Sequence, residues 1–86
     1  MTARARIEEV VTETVLDILP GLDKDRVRGR AHLRDLGADS VDRVEIIVGL
    51  LDRLAIQEPL ASFADLPDID ALTDLLHELL DERSGR

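Results

Sequence analysis

Three stretches of this chain repeat apolar side chains at steps of three and four residues, the spacing of one face of an amphipathic helix. The predicted helices cover residues 3–19, 40–54 and 69–82. Pro20 and Gly21 end the first, because neither residue continues a helix well. Asp39 and Asp68 precede the second and third helices and are their expected N-caps. The pattern thus predicts three helices that each bury one face.

A shorter helix is predicted at residues 59–64, where proline suits the first helical position. Leu60 and Phe63 lie three residues apart there and are expected to tuck under the core. Pro67 breaks the chain before the last helix. No stretch alternates apolar and polar residues as a strand does. We therefore expect an all-α fold in one domain, 1–86: a small four-helix bundle of three longer helices and one short helix.

A long loop, residues 22–38, joins the first two predicted helices. Loops of this length inside a compact domain are uncommon unless they are functional. A short helical turn is expected near Asp23, and three apolar residues should pin the loop to the core: Val27, Leu33 and Leu36. The loop also carries five cations: Lys24, Arg26, Arg28, Arg30 and Arg34. The simplest interpretation is a solvated loop, and the alternative is contact with a partner or a phosphate.

The second predicted helix has more apolar surface than a small domain usually buries from one element. Five of its residues cover a broad apolar arc: Val44, Ile46, Ile47, Leu50 and Leu54. Val41, Val48 and Leu51 extend that surface towards a side that also carries Glu45 and Asp52. We expect part of the helix to be core and part to be a contact face.

Charge is distributed unevenly along the chain. Its 86 residues include 19 acidic and 11 basic side chains, for a net charge of −8. Residues 35–82 hold thirteen of the acidic side chains and only two basic ones, Arg43 and Arg53. With this charge and a single aromatic residue, Phe63, nucleic acid is not an expected partner. An anionic face for basic partners is one interpretation, and solubility alone is the other.

The composition argues against most enzyme chemistry. The chain has no cysteine, which removes disulfides, thiolate metal sites and cysteine nucleophiles. His32 and His77 do not have metal-ligand spacing, and we interpret them as a loop residue and a solvent-facing helix residue. No glycine-rich nucleotide loop occurs. Apolar runs are too short for a membrane span or a signal core, so we expect a cytoplasmic protein. We also expect a monomer without catalytic residues or a metal site.

One segment stands apart, at the junction of the long loop and the second helix. Gly37 permits a tight backbone path there, and Ala38 keeps the approach uncrowded. Ser40 follows in the first helical turn, where amide groups and the helix dipole favour an anion such as phosphate. No histidine or lysine adjoins Ser40 in sequence to activate it, so another protein would have to modify it. The alternative is that Asp39 and Ser40 only cap the helix.

Residues 36–42, LGADSVD, resemble the phosphopantetheine attachment motif of acyl carrier proteins, and the resemblance extends over nearly the whole chain. It implies a four-helix carrier fold and a phosphopantetheinyl transferase that moves 4′-phosphopantetheine from coenzyme A onto Ser40. The thiol of that arm would carry acyl groups as thioesters between enzymes. The resemblance and the acidic pattern together suggest partner-binding residues around the arm: Asp39, Val41, Asp42, Arg43, Glu45, Val48 and Asp52.

Residues 39–47 and 59–64 resemble a narrower group, the stand-alone donor carriers of polyketide β-branching. Such a donor implies an acyltransferase that loads malonate and a ketosynthase-like decarboxylase that converts it to acetyl. A synthase of the hydroxymethylglutaryl (HMG) type then adds the acetyl group to a β-keto intermediate on another carrier. Arg43 replaces a small residue common in fatty-acid carriers and is a candidate for recognition by that synthase. The alternative for Arg43 is a surface ion pair with Asp39 or Glu45.

Two other functions stay open at this point. The chain could be a discrete carrier for fatty-acid or general polyketide synthesis, which would share the arm but not the donor role. It could also be an acidic helical adaptor that has no prosthetic group.

Overall fold

The computed structural model describes residues 2–66 and 68–84, with the backbone alone for 82–84; the predicted break at Pro67 lies outside the described residues. In these ranges the chain is helical, without strands. The α-helices are α1 (Ala3–Ile18), α2 (Ser40–Arg53) and α3 (Ile69–Ser84). Three short 3-10 helices lie between them, at Lys24–Arg26, Leu33–Leu36 and Leu60–Phe63. The all-α prediction is confirmed, and the α-helix boundaries fall within two residues of those predicted.

The predicted fourth helix is a single 3-10 turn, so the described part of the chain has three α-helices. Pro59 is the N-cap of this turn, with an extended backbone at φ −62° and ψ 141°, rather than its first helical residue. The Ser62 amide donates to the Pro59 carbonyl at 3.0 Å, which closes a single turn. One such turn does not continue into an α-helix, because short helices are only marginally stable. Phe63 is buried as predicted, whereas the prediction for Leu60 is wrong, since 45% of it is exposed.

The long loop is ordered by local caps and by bonds to α3. The turn expected near Asp23 is present, with the Asp23 carboxylate accepting from the Asp25 amide at 3.0 Å. A second turn, Leu33–Leu36, was not predicted. Val27 and Leu36 are buried, and Leu33 packs against the core, as predicted. The backbone amides of Ile69 and Asp70 donate to carbonyls of the loop at 2.9 and 2.8 Å, so the loop is fixed against the start of α3.

The core lies where α1 packs against both α2 and α3. Its most buried apolar side chains are Val11, Val15, Ile46, Leu50, Leu72 and Leu76. Val44 belongs to the predicted apolar arc of α2 but lies outside this core, because 49% of it is exposed. Val44 is three residues after Val41 and four before Val48, so helical spacing groups it with those two exposed residues.

Two arginines bridge α1 to the other α-helices. Arg53 of α2 donates to the Thr14 hydroxyl at 2.8 Å and pairs with Asp17. Arg4 of α1 pairs with Asp74 of α3. The hydrogen bond with Asp74 is the main cause that raises the pKa of the Arg4 guanidinium above its usual value, and nearby carboxylates add to it. Such exposed pairs contribute little to stability.

None of the described helices has the length and apolar character needed to cross a membrane.

Candidate functional site

The junction before α2 is held by two buried residues on either side of an exposed glycine. Leu36 and Ala38 are buried, while Gly37 between them has φ +101°, a left-handed conformation that strains other residues. The Gly37 and Ala38 amides donate to carbonyls of the preceding turn, both at 3.1 Å. This geometry turns the chain sharply and leads it outward to Ser40.

Asp39 and Asp42 fix the first turn of α2. The Asp39 carboxylate accepts from the Asp42 amide at 2.8 Å, and the Asp42 carboxylate accepts from the Asp39 amide at 3.4 Å. This reciprocal arrangement is a capping box, and it confirms the predicted cap. It also places two negative charges beside Ser40 at fixed positions.

Ser40 is the first residue of α2 and is exposed. Its hydroxyl makes no hydrogen bond to any residue that the structure describes. The positive end of the α2 dipole lies at the same turn and favours an anion. An accessible, uncommitted hydroxyl at a helix N-terminus fits a serine that becomes a phosphodiester. This residue set therefore fits a phosphopantetheine group.

A cavity of ≈ 280 Å³ adjoins Ser40 between α2, the long loop, the Leu60–Phe63 turn and the start of α3. Its apolar lining includes Leu33, Val44, Ile47, Phe63, Leu66 and Leu72. Its polar lining consists of Ser40, Arg43, His32 and Asp68. No local sequence pattern places His32 or Asp68 here, because only the folded loop and the cap of α3 bring them to α2.

The predicted contact face of α2 combines exposed valines with carboxylates. Val41, Val44 and Val48 are 65%, 49% and 48% exposed. Glu45 and Asp52 lie four and eleven residues after Val41, so helical spacing places them on the same side. Val44 is the member of this face that sequence reasoning missed. Leu51, expected on the edge of this face, packs against the core instead.

Arg43 lies on the cavity side of α2 and is half-buried. Ion pairs in the described part of the chain involve Arg4 and Arg53, and none involves Arg43. The alternative ion pair of Arg43 with Asp39 or Glu45 is therefore absent from the described part of the chain.

The five loop cations are exposed and likewise form no ion pair with a described carboxylate, which agrees with a solvated loop. His77 is half-buried in a groove lined by residues of α1, of α3 and of the C-terminal end of α2, so it is less solvent-facing than expected. No group of histidine, aspartate and glutamate side chains in residues 2–66 and 68–81 could hold a metal ion.

Comparison with known proteins identifies the family. The profile of the phosphopantetheine attachment site family matches residues 9–76. The polyketide biosynthesis acyl carrier protein AcpK of Bacillus subtilis (strain 168) is 36% identical over 75 residues, which cover 87% of this chain and 92% of AcpK. The chloroplastic acyl carrier protein 1 of Casuarina glauca is 33% identical over 63 residues, 73% of this chain and 46% of that protein.

A longer protein also matches. The non-reducing polyketide synthase adrD of Penicillium roqueforti is 33% identical over 67 residues, covering 78% of this chain but only 3% of the synthase. No solved structure matches significantly. Together with the geometry at the start of α2, these matches confirm the resemblance, and the chain belongs to the acyl carrier proteins, which are non-catalytic carriers with a phosphopantetheine attachment site.

Proposed function

We propose that Ser40 is the residue that carries the phosphopantetheine arm. The observation that supports this most is the exposed, unbonded Ser40 hydroxyl in the capped first turn of α2. In the transfer, the Ser40 oxygen forms a bond to the phosphorus next to the pantetheine of coenzyme A. The pyrophosphate bond breaks, the adenosine bisphosphate part leaves, and a base of the transferase takes the serine proton. Failure of the Ser40→Ala variant to accept the arm tests the assignment.

The exposed face of α2 is the surface that partner enzymes would contact. Glu45 and Asp52 attract a basic partner over a distance, since long-range charge mainly accelerates encounter. Val41 and Val48 then add a small apolar contact, enough for a brief complex but not for a permanent one. A carrier that must leave one enzyme for the next needs this balance. Asp39 and Asp42 belong to the same anionic surface and also hold the turn.

The role that we propose for the loaded carrier is donation in polyketide β-branching. An acyltransferase moves the malonyl group from a malonyl thioester to the thiol of the arm, and the thiol of the donor leaves. A ketosynthase-like decarboxylase then releases CO₂, and the resulting enolate takes up a proton to give acetyl. An HMG-synthase-type enzyme then uses the acetyl group as its carbon nucleophile. The similarity to AcpK, whose name assigns it to polyketide biosynthesis, supports a polyketide role. Arg43, half-buried and without an ion pair beside Ser40, supports a specialised recognition surface.

Acetyl transfer to the partner synthase tests the donor role. The carrier is loaded with acetyl-phosphopantetheine directly, so that malonyl loading and decarboxylation do not enter the result. We expect transfer from the native chain and slower transfer from Arg43→Ala, with Arg26→Ala, an exposed loop cation, as the matched control. Equal transfer from Arg43→Ala and the control would contradict the role of Arg43. No transfer from any form would contradict the donor role itself.

A second candidate function is a discrete carrier for fatty-acid or general polyketide synthesis, favoured by the 33% identity to a chloroplastic acyl carrier protein. It predicts extension of a loaded malonyl group by a chain-extending ketosynthase. The adaptor without a prosthetic group loses support, because the family match covers residues 9–76. We further propose a cytoplasmic location and a monomeric state.

A further inference from the structure

Arg43 follows Ser40 by three residues on α2, and both residues line the same cavity. Residues at this spacing are neighbours on a helix surface, with about 5–6 Å between their Cβ atoms. Side chains of a helix also lean towards its N-terminus, so the long side chain of Arg43 extends back towards the turn that begins at Ser40. The guanidinium is therefore within reach of a group attached to the Ser40 oxygen.

The Arg43 guanidinium has no partner in the described part of the chain. Asp39, Asp42 and Glu45 lie within four residues of it, but none is within ion-pair distance. Asp68, the one carboxylate that lines the cavity, accepts instead from a backbone amide of α3 at 2.8 Å. The guanidinium donates no hydrogen bond to a described residue either. Its charge is thus available to an anion that the folded chain does not itself supply.

His32 contributes a donor to the same lining rather than a second charge. Its Nδ1 accepts from the Arg34 amide at 3.0 Å, which requires that this nitrogen is unprotonated. The proton of the ring then lies on Nε2, and the ring is neutral. Arg43 is therefore the permanent cation of the cavity lining.

An arm on Ser40 adds a negative charge to a turn that is already negative. The capping box fixes the Asp39 and Asp42 carboxylates on either side of Ser40, and the phosphodiester of the arm would join them. Like charges at such short range repel one another. Arg43, unpaired and within one turn of Ser40, is the cation that can offset this repulsion.

We propose that Arg43 binds the phosphodiester of the arm and holds the first bonds of the arm against α2. The inference rests on the proposed function, since it requires the arm on Ser40. A planar guanidinium matches two phosphate oxygens through parallel hydrogen bonds. Arg43 is half-buried, so salt screens its charge less than it screens an exposed cation.

This pairing sets the direction in which the arm leaves Ser40. It acts in the free carrier, before any enzyme is bound, and it does not depend on which acyl group the arm carries. The part of the arm beyond the phosphate stays free to reach an enzyme. Arg43 would thus orient the arm without holding its thioester.

The test uses the full chain with the unloaded arm, prepared from coenzyme A by a promiscuous phosphopantetheinyl transferase. Phosphorus NMR records the phosphodiester in the native chain, in Arg43→Gln and in the matched control Arg26→Gln, which removes an exposed loop cation. The same chain with its arm, unfolded in urea, is the reference. We expect the native chain and the control to share a signal displaced from the reference. In Arg43→Gln most of this displacement should be lost.

A second measurement, on the native chain alone, does not depend on how Arg43→Gln folds. Nuclear Overhauser contacts are expected between the pantetheine methylene next to the phosphate and the Cδ protons of Arg43. Identical phosphorus signals in the native chain and in folded Arg43→Gln, or no contact between that methylene and Arg43, would overturn the inference. The proposed function would survive that result, because the phosphorus signal itself shows that the chain has accepted the arm. A chain that accepts no arm would contradict both.

Discussion

Asp39 and Asp42 cap each other's backbone amides at the first turn of α2, on either side of Ser40. Replacing Asp39 with alanine removes the shorter of these bonds, 2.8 Å, and leaves the Asp42 amide without its partner. We expect the free energy of unfolding to fall by about 1 kcal/mol. For a domain of this size, this corresponds to a melting temperature lower by roughly 4–8 °C. Urea and thermal unfolding measure both values.

Asparagine at position 39 separates the cap from the charge. Asp39→Asn keeps an acceptor for the Asp42 amide, so its stability should stay within a few tenths of a kcal/mol, roughly, of the native value. Any loss of enzyme docking in Asp39→Asn is then an effect of charge. If Asp39→Asn unfolds as easily as Asp39→Ala, the cap is not what Asp39 contributes.

Glu45 and Asp52 are expected to accelerate encounter with a basic enzyme. Both are exposed and neither has an ion pair among the described residues, so the double variant Glu45→Gln, Asp52→Asn should fold normally. We expect kcat/KM for phosphopantetheine transfer to fall about threefold to tenfold at low salt. The difference should shrink at high salt, since screening weakens exposed charges.

The matched control removes the same charge from α1. Glu9→Gln combined with Glu13→Gln changes two exposed acids that also have no described ion pair. An equal loss in the control would mean that net charge, rather than the α2 face, governs docking.

Gly49 of α2 packs closely against Thr14 of α1. A Cβ at this position would lie 3.1 Å from Thr14 Cγ2. Thr14 is 1% exposed, donates to the Val10 carbonyl at 2.7 Å and accepts from Arg53 at 2.8 Å, so its rotamer is fixed. We expect Gly49→Ala to lower the free energy of unfolding by about 1 kcal/mol, despite the better helix propensity of alanine.

The Thr14→Ser background tests that cause. Serine removes Cγ2 but retains the hydroxyl, so Gly49→Ala should now stabilise α2, by up to about 1 kcal/mol relative to Thr14→Ser alone. Urea unfolding of the four chains gives the coupling between the two positions. The same loss in both backgrounds would show that the Cγ2 contact is not responsible.

The α-helices could be predicted because the signals are local: apolar residues at helical spacing, and residues that begin or end a helix. Asp39 and Asp68 have carboxylates that accept the amides of the following turn, and no distant residue is needed for this. The Leu33–Leu36 turn was missed because its cap, the ring nitrogen of His32, is an uncommon acceptor for this role. The helix predicted at residues 59–64 is longer than the observed turn, because a proline is compatible with the start of a helix but does not stabilise one.

The candidate site also has a part that the sequence predicts and a part that it does not. Ser40 and its neighbours follow from a local motif at a helix start. The cavity requires the loop, the Leu60–Phe63 turn and the residue before α3 to meet at α2, and no local pattern encodes that meeting. The exposed position of Val44 also depends on which face of α2 the neighbouring helices cover.

Intact-mass measurement after incubation with coenzyme A and a promiscuous phosphopantetheinyl transferase tests the central claim most directly. The native chain and Ser62→Ala, which changes another exposed serine, should each gain one phosphopantetheine group, and Ser40→Ala should gain none. An unmodified native chain, or an adduct that persists in folded Ser40→Ala, would contradict the account.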